Sequence, residues 1–173
     1  MRSALIFVST LCWALWFGGT ISVFVFGLHF FHTLPPDTFH DAARAMFQVF
    51  AKYQLILASI GLLTSGMLLV TYPSKWFVLL VATTVLAGGM SVTFGLGLMP
   101  AMEVLRNEGK VQTTEWKKLH GKSMIALAMQ AGVLVLSGGI LLKSQGEALR
   151  LSDEEGRKIE PAMEKHQGLP QRV

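Results

Sequence analysis

The chain has 173 residues, of which 51% are hydrophobic and only 15% charged, and its mean hydropathy is +0.48. Ordinary soluble domains carry about 25% charged residues, so this chain is too apolar for its size to fold as one. The formal net charge of +4 is carried by the connections and the C-terminal stretch. No run of Lys and Arg is interleaved with aromatics, so nucleic acid is not an expected partner.

The first apolar stretch runs from about Ala4 to Leu34. A cleaved leader has an apolar core of roughly 7–15 residues, so this longer one reads as a retained span. At about 1.5 Å per residue it exceeds the ~30 Å hydrocarbon core, and its far end must reach the interface. Cys12 is the only cysteine, which rules out an intramolecular disulfide and any CxxC site; it reads as a small buried hydrophobe. Pro35-Pro36 then stops the helix and opens the next, with Asp37 as the expected N-cap.

In the second helix, Phe39, Ala43, Met46, Phe47, Phe50 and Tyr53 recur at spacings of three and four, opposite Asp41, Arg44, Gln48 and Lys52. That is amphipathic helical periodicity. It leads into a uniformly apolar run from Leu55 to Val70, giving a span over about residues 38–71. Tyr72-Pro73-Ser74-Lys75 reads as a tight turn and Trp76 as an interfacial anchor. The third span covers about residues 76–99 and ends by Pro100, a charged connection follows from Glu103 to Thr114, and the fourth span covers about residues 115–142 after a cap at Thr113 or Thr114. The expected architecture is all-α: a four-helix transmembrane domain over residues 1–143 and a hydrophilic tail over residues 144–173. The tail has too few apolar residues to pack, so a short helix at most, then disorder, is expected there.

Small residues four apart let membrane helices approach closely. Gly18 with Ser22, Gly61 with Ser65, Ser91 with Gly95 and Ala128 with Gly132 mark such faces. The expected partners are therefore the lipid bilayer and, through these faces, other membrane subunits or a second copy. An even number of spans puts both termini on one side. Basic residues are almost evenly divided between the sides, and the reading adopted is cytoplasmic termini in a bacterial inner membrane.

No Asp, Glu, Lys or Arg falls in the middle of a span as drawn, which argues against transport coupled to protons or sodium. His29 and His32 end the first span, His40 follows, and His120 begins the fourth, so all four share one side. Imidazole suits zinc, copper or iron, and facing histidines ligate haem. His29, His32 and His120 are thus the candidate metal ligands, with Met99 and Met102 as nearby soft donors; the plainer reading is interfacial histidines and packing methionines. Ser123 lies one turn after His120, but no acid completes a relay and no glycine-rich elbow is present, so no catalytic residue is expected. The glycines of Phe94–Leu98 lack a strand-turn-helix context and read as close packing. The expectation is a non-enzymatic bundle that packs with lipids or partners and holds no cofactor. Its alternatives are a haem- or metal-binding protein, and a passive small-solute facilitator or exporter lined by Gln54, Thr83, Thr84 and Gln130.

Trp16-Phe17-Gly18-Gly19, Phe30 through Leu34, Pro100 with Met102 and Leu105-Arg106, and Leu119-His120-Gly121-Lys122-Ser123 form a further pattern. Over about residues 5–143 the chain resembles the small four-span membrane family typified by transmembrane protein 205, a domain of unknown function. The resemblance implies a membrane protein without assigned catalytic activity, whose eukaryotic relatives are linked with trafficking and platinum-drug resistance. It supports His120 and Ser123 as functional positions, and lends nothing to His29 or His32.

Overall fold

Inside a bilayer the backbone has no water to bond, and a helix satisfies its N–H and C=O groups within one segment. The computed structural model describes the backbone of residues 2–111 and 113–167 and the side chains of residues 3–35, 38–111 and 113–146. The helices are α1 (Arg2–Thr33), α2 (Pro36–Thr71), α3 (Lys75–Val92), α4 (Met99–Asn107) and α5 (Thr114–Gln167), with a π-helical turn, Thr93–Leu98, joining α3 to α4. Among the described residues there is no strand. Four stretches are long and apolar enough to cross a membrane: Ser3–Thr33, Thr38–Thr71, Lys75–Asn107 and Thr114–Gly146. The chain is a multi-pass membrane protein.

Local chemistry sets the helix ends. Pro36 opens α2 behind Pro35, with no side-chain cap. Asp37 is therefore inside the first turn rather than at the N-cap, because proline's fixed φ and missing N–H suit the first helical position. Ser74 Oγ accepts from Trp76 N–H at 3.2 Å, and Thr113 Oγ1 accepts from Trp116 N–H at 3.3 Å. After α4, Gly109 takes φ +71°. Lys110 N–H then reaches Leu105 O at 2.8 Å and Gly109 N–H reaches Arg106 O at 2.9 Å. A glycine in the left-handed region closes a helix in this way at no steric cost. Trp76 sits between Lys75 and Lys143, whose ammonium groups stand 5.5 Å and 5.1 Å from its ring.

Pro100 does not end the third rod. In an α-helix its ring would strike the carbonyl of Leu96 and leave that carbonyl unbonded. The π-helical turn widens the backbone just ahead of it, and Met99 N–H bonds Phe94 O instead. Helix therefore continues to Asn107, carrying Glu103 and Arg106 on α4 rather than in a connection. The path of α5 likewise continues to Gln167. Residues 168–173, the end of the tail for which disorder is expected after a short helix at most, lie outside the described residues, as do the side chains from residue 147 on.

α1 neighbours α2 and α5, and the α3–α4 rod closes the ring by packing on α2 and α5. Three apolar layers stack along the bundle. Leu68, Phe77, Leu80 and Leu141 form the layer nearest the termini. Cys12, Trp16, Leu57, Ala87 and Leu134 form the middle one, and Val23, Phe50, Ala51, Phe94 and Leu127 the third. Large apolar side chains such as Val49, Val70 and Leu142 face outward, where lipid replaces water.

Much of the polarity points inward. Gln54, Ser91 and Gln130 are completely buried. Gln130 Nε2 donates to Ser91 Oγ at 2.8 Å, and Ser91 Oγ stands 3.3 Å from Gln54 Oε1, so one hydroxyl ties α2, α3 and α5 together. Interhelical hydrogen bonds of this kind contribute about 0.6–2 kcal/mol in membrane bundles. Of the small-residue faces, Gly61 packs against Cys12 and Thr84, and Gly95 against Ala51 and Leu55. Gly18 and Gly132 have no neighbour within 4 Å. Two of the four faces thus seat internal contacts, and the other two are turned away from the bundle.

Candidate functional site

α1 and α5 are fastened at the end near the termini. Trp13 Nε1 donates to Leu134 O at 2.6 Å, and Gln145 Nε2 donates to Thr10 Oγ1 at 2.8 Å. The last layer they share contains Val23 and Leu127. Beyond it a cavity of about 390 Å³ opens between them, floored by Phe39, Ala43 and Phe47 of α2 and bounded by Gly27 and Phe31 of α1 and His120 and Met124 of α5. Among the described residues nothing charged lines it. The run from Val23 to Phe31 gives it a depth of roughly 12 Å at 1.5 Å per residue.

A second cavity, of about 270 Å³, shares Phe31, Phe39, Ala43, Phe47 and His120 with the first and adds the charged groups Arg44, Glu103 and Arg106. The two adjoin, an apolar chamber beside a polar mouth. Arg44 Nη2 donates to Glu103 Oε1, and Arg106 Nη1 stands 3.5 Å from Glu103 Oε2. One carboxylate is thereby shared by two arginines whose side chains are partly buried. Phe31 and Phe39 meet edge to face at 5.6 Å, joining α1 to α2 at the mouth. Across from them the rings of Trp116 and His120 stack at 5.0 Å and 8°. Trp116 Nε1 is buried with no hydrogen-bond partner.

The sequence-predicted residues divide around this site. His120 is half-buried and lines both cavities. Ser123 is buried one turn on, its hydroxyl donating to His120 O at 2.7 Å. His29 and His32 are exposed on α1, with their rings against Phe30 and Phe31. Among the described residues no group of three or more His, Cys, Asp or Glu is placed to hold a metal ion. His40, Met99 and Met102 line the polar mouth. Of the residues named for a solute path, Thr83 and Thr84 return their hydrogen bonds to carbonyls of their own helix, and Gln54 and Gln130 share Ser91, while Gln54 Nε2 and Gln130 Oε1 are buried without a partner. A cavity of about 20 Å³ near Thr84 has room for about one water molecule.

Arg44, Glu103 and Arg106 were not among the candidates. Arg44 reads from the sequence as part of a solvated face, yet its long side chain turns in to Glu103. The signal was there in a carboxylate and two arginines flanking apolar helices. It needs α4, and hence the helical path through Pro100, before the three converge.

No curated protein and no solved structure matches the chain. Residues 11–111 match the family described as a domain of unknown function, DUF4149. That stretch holds α1 from Leu11, α2, α3 and α4, and so includes Arg44, Glu103 and Arg106; it ends before His120 and Ser123. The match covers more than half of the sequence, and the chain belongs to this family of unknown function.

Proposed function

We propose that this is a non-enzymatic membrane protein that takes up the chain of an amphiphile from the bilayer in the cleft between α1 and α5. The observation that carries the reading is the apolar cavity of about 390 Å³ opening beyond the Val23–Leu127 layer. Ligand sites are typically clefts of about 300–1,000 Å³, mostly apolar with a few placed polar groups, and this chamber and its mouth have that division. An unfilled apolar space of this size within a lipid-facing bundle is matched by the hydrocarbon around it. The polar mouth is set at one end, where the rods reach their connections, so a guest inserts chain first with its polar end at the interface. No nucleophile–base pair faces the chamber, which supports a binding role over a catalytic one. The resemblance to the transmembrane protein 205-like proteins through Leu119–Ser123 belongs to this reading as well, since His120, one of the two positions it supports, lines the chamber.

A lipid carrying a photoactivatable group on its acyl chain tests the proposal. In wild-type protein, labelling is expected to concentrate on Phe47 and Met124, and to fall in Gly27→Phe, whose ring fills the chamber. Labelling of the outward residues Val49 and Val70 should be equal in both proteins. Uniform labelling of all lipid-facing residues, unchanged by Gly27→Phe, would refute it.

A further inference from the structure

Resting on that reading, we infer that the mouth of the chamber selects the head group, and that its guest is an anionic phospholipid whose phosphate is held by Arg44 and Arg106. The polar groups there are unbalanced towards donors. Each guanidinium has five N–H donors in a fixed fork. Against the ten of Arg44 and Arg106, the carboxylate bonded to them is Glu103, which both share. The exposed Asp41 also acts on Arg106, but from the solvent side. Among the described residues the mouth holds more donors than acceptor oxygens, and a phosphate supplies several acceptors in a geometry that suits the guanidinium fork.

The membrane, not the aqueous phase, is the source the surroundings favour. The charged mouth shares five residues with the apolar chamber, so a head group bound there lies beside the cleft that would take its chain. Lys117, Lys118 and Lys122 are exposed on the first turns of α5, and cationic residues near the bilayer surface raise the local concentration of anionic lipid.

The test uses the full chain in detergent micelles and counts bound lipid by native mass spectrometry. Its probes are phosphatidate, phosphatidylcholine and diacylglycerol with identical acyl chains. A charge-assisted hydrogen bond contributes about 1.5–3 kcal/mol, so phosphatidate is expected to bind at least about tenfold more tightly than diacylglycerol. Phosphatidylcholine, whose phosphate is masked by a cation, should fall between them. Arg106→Gln should bring the phosphatidate preference close to unity. Because that variant also disturbs Glu103, Arg106→Lys supplies a second reading: it keeps a cation beside Glu103, loses the guanidinium fork, and should reduce the preference while leaving diacylglycerol binding as it was. Equal binding of all three lipids, or a preference that survives both substitutions, overturns the head-group assignment and leaves the chamber reading standing. Failure of every lipid to bind overturns both. Displacement of bound phosphatidate by millimolar inorganic phosphate alone would show a free-anion site and overturn the lipid assignment.

Discussion

A single methyl group added to Gly138 should loosen the junction between α1 and α5. The Cβ of an alanine there would fall against the Trp13 ring, 2.7 Å from Cε2 and nearer still to Cζ2. An indole cannot fold out of the way as a flexible chain would, and its Nε1 is held by Leu134 O at 2.6 Å. Overpacking of this kind costs about 1–3 kcal/mol, and losing the interhelical hydrogen bond adds about 0.6 kcal/mol. Alanine is the better helix former by about 0.8–1 kcal/mol, which partly offsets the loss. Gly139→Ala removes that ambiguity, since nothing lies within 4 Å of a Cβ at Gly139. The difference between the two variants, in which propensity cancels, is expected to be about 2–3 kcal/mol. Reversible unfolding in mixed detergent–SDS micelles, followed by Trp fluorescence, measures it. In a Trp13→Phe background the smaller ring should absorb most of the penalty, and the double-mutant cycle should report a coupling above about 1 kcal/mol. Equal stability of Gly138→Ala and Gly139→Ala would refute the packing on which α1 and α5 are argued to meet.

Gly95→Leu should lower folded yield and thermal stability, because a Cβ there already contacts Leu55 and Ala51; Gly18→Leu, with open space around it, should leave both unchanged in detergent. Ser91→Ala should destabilise the bundle by about 1–3 kcal/mol, since it strands the amides of Gln54 and Gln130 without the hydroxyl that joins them. Gln54→Leu/Ser91→Ala/Gln130→Leu, which removes the whole polar group, should unfold at a higher SDS fraction than Ser91→Ala. Pro100→Ala should let the π-helical turn relax towards α-helix and shift α4 relative to α3, read as a changed spin-label distance between positions 79 and 104; an unchanged distance would show that the turn does not depend on the proline.

What could be read from the sequence followed the periodicities that lipid imposes. The face of α2 carrying Phe39, Met46, Phe47, Phe50 and Tyr53 is turned inward, and Gln48 and Lys52 are exposed. Arg44 breaks that pattern because a long side chain reaches a partner on another helix, and a wheel drawn on one helix contains no partner. The Pro100 stop had a sound local reason, but a π-helical turn gives the backbone a second way to meet it, and nothing in residue spacing separates the two. Small residues four apart identify a close-packing surface without saying which helix covers it. Gly61 and Gly95 found neighbours; Gly18 and Gly132 did not. The chamber itself is the least legible feature. It lies between α1 and α5 beyond Val23 and Leu127, a space that no short motif encodes, and the residues around it read individually as ordinary apolar packing.

The measurement that tests the account most directly is a lipid analysis of the protein after release from detergent in the gas phase. Wild-type protein should retain about one phospholipid per chain through extensive washing, and Gly27→Phe, folded to the same thermal stability, should retain none. A wild-type chain that emerges bare under conditions that keep it folded, or a Gly27→Phe chain that keeps its lipid, would contradict the claim that the cleft between α1 and α5 is a binding site.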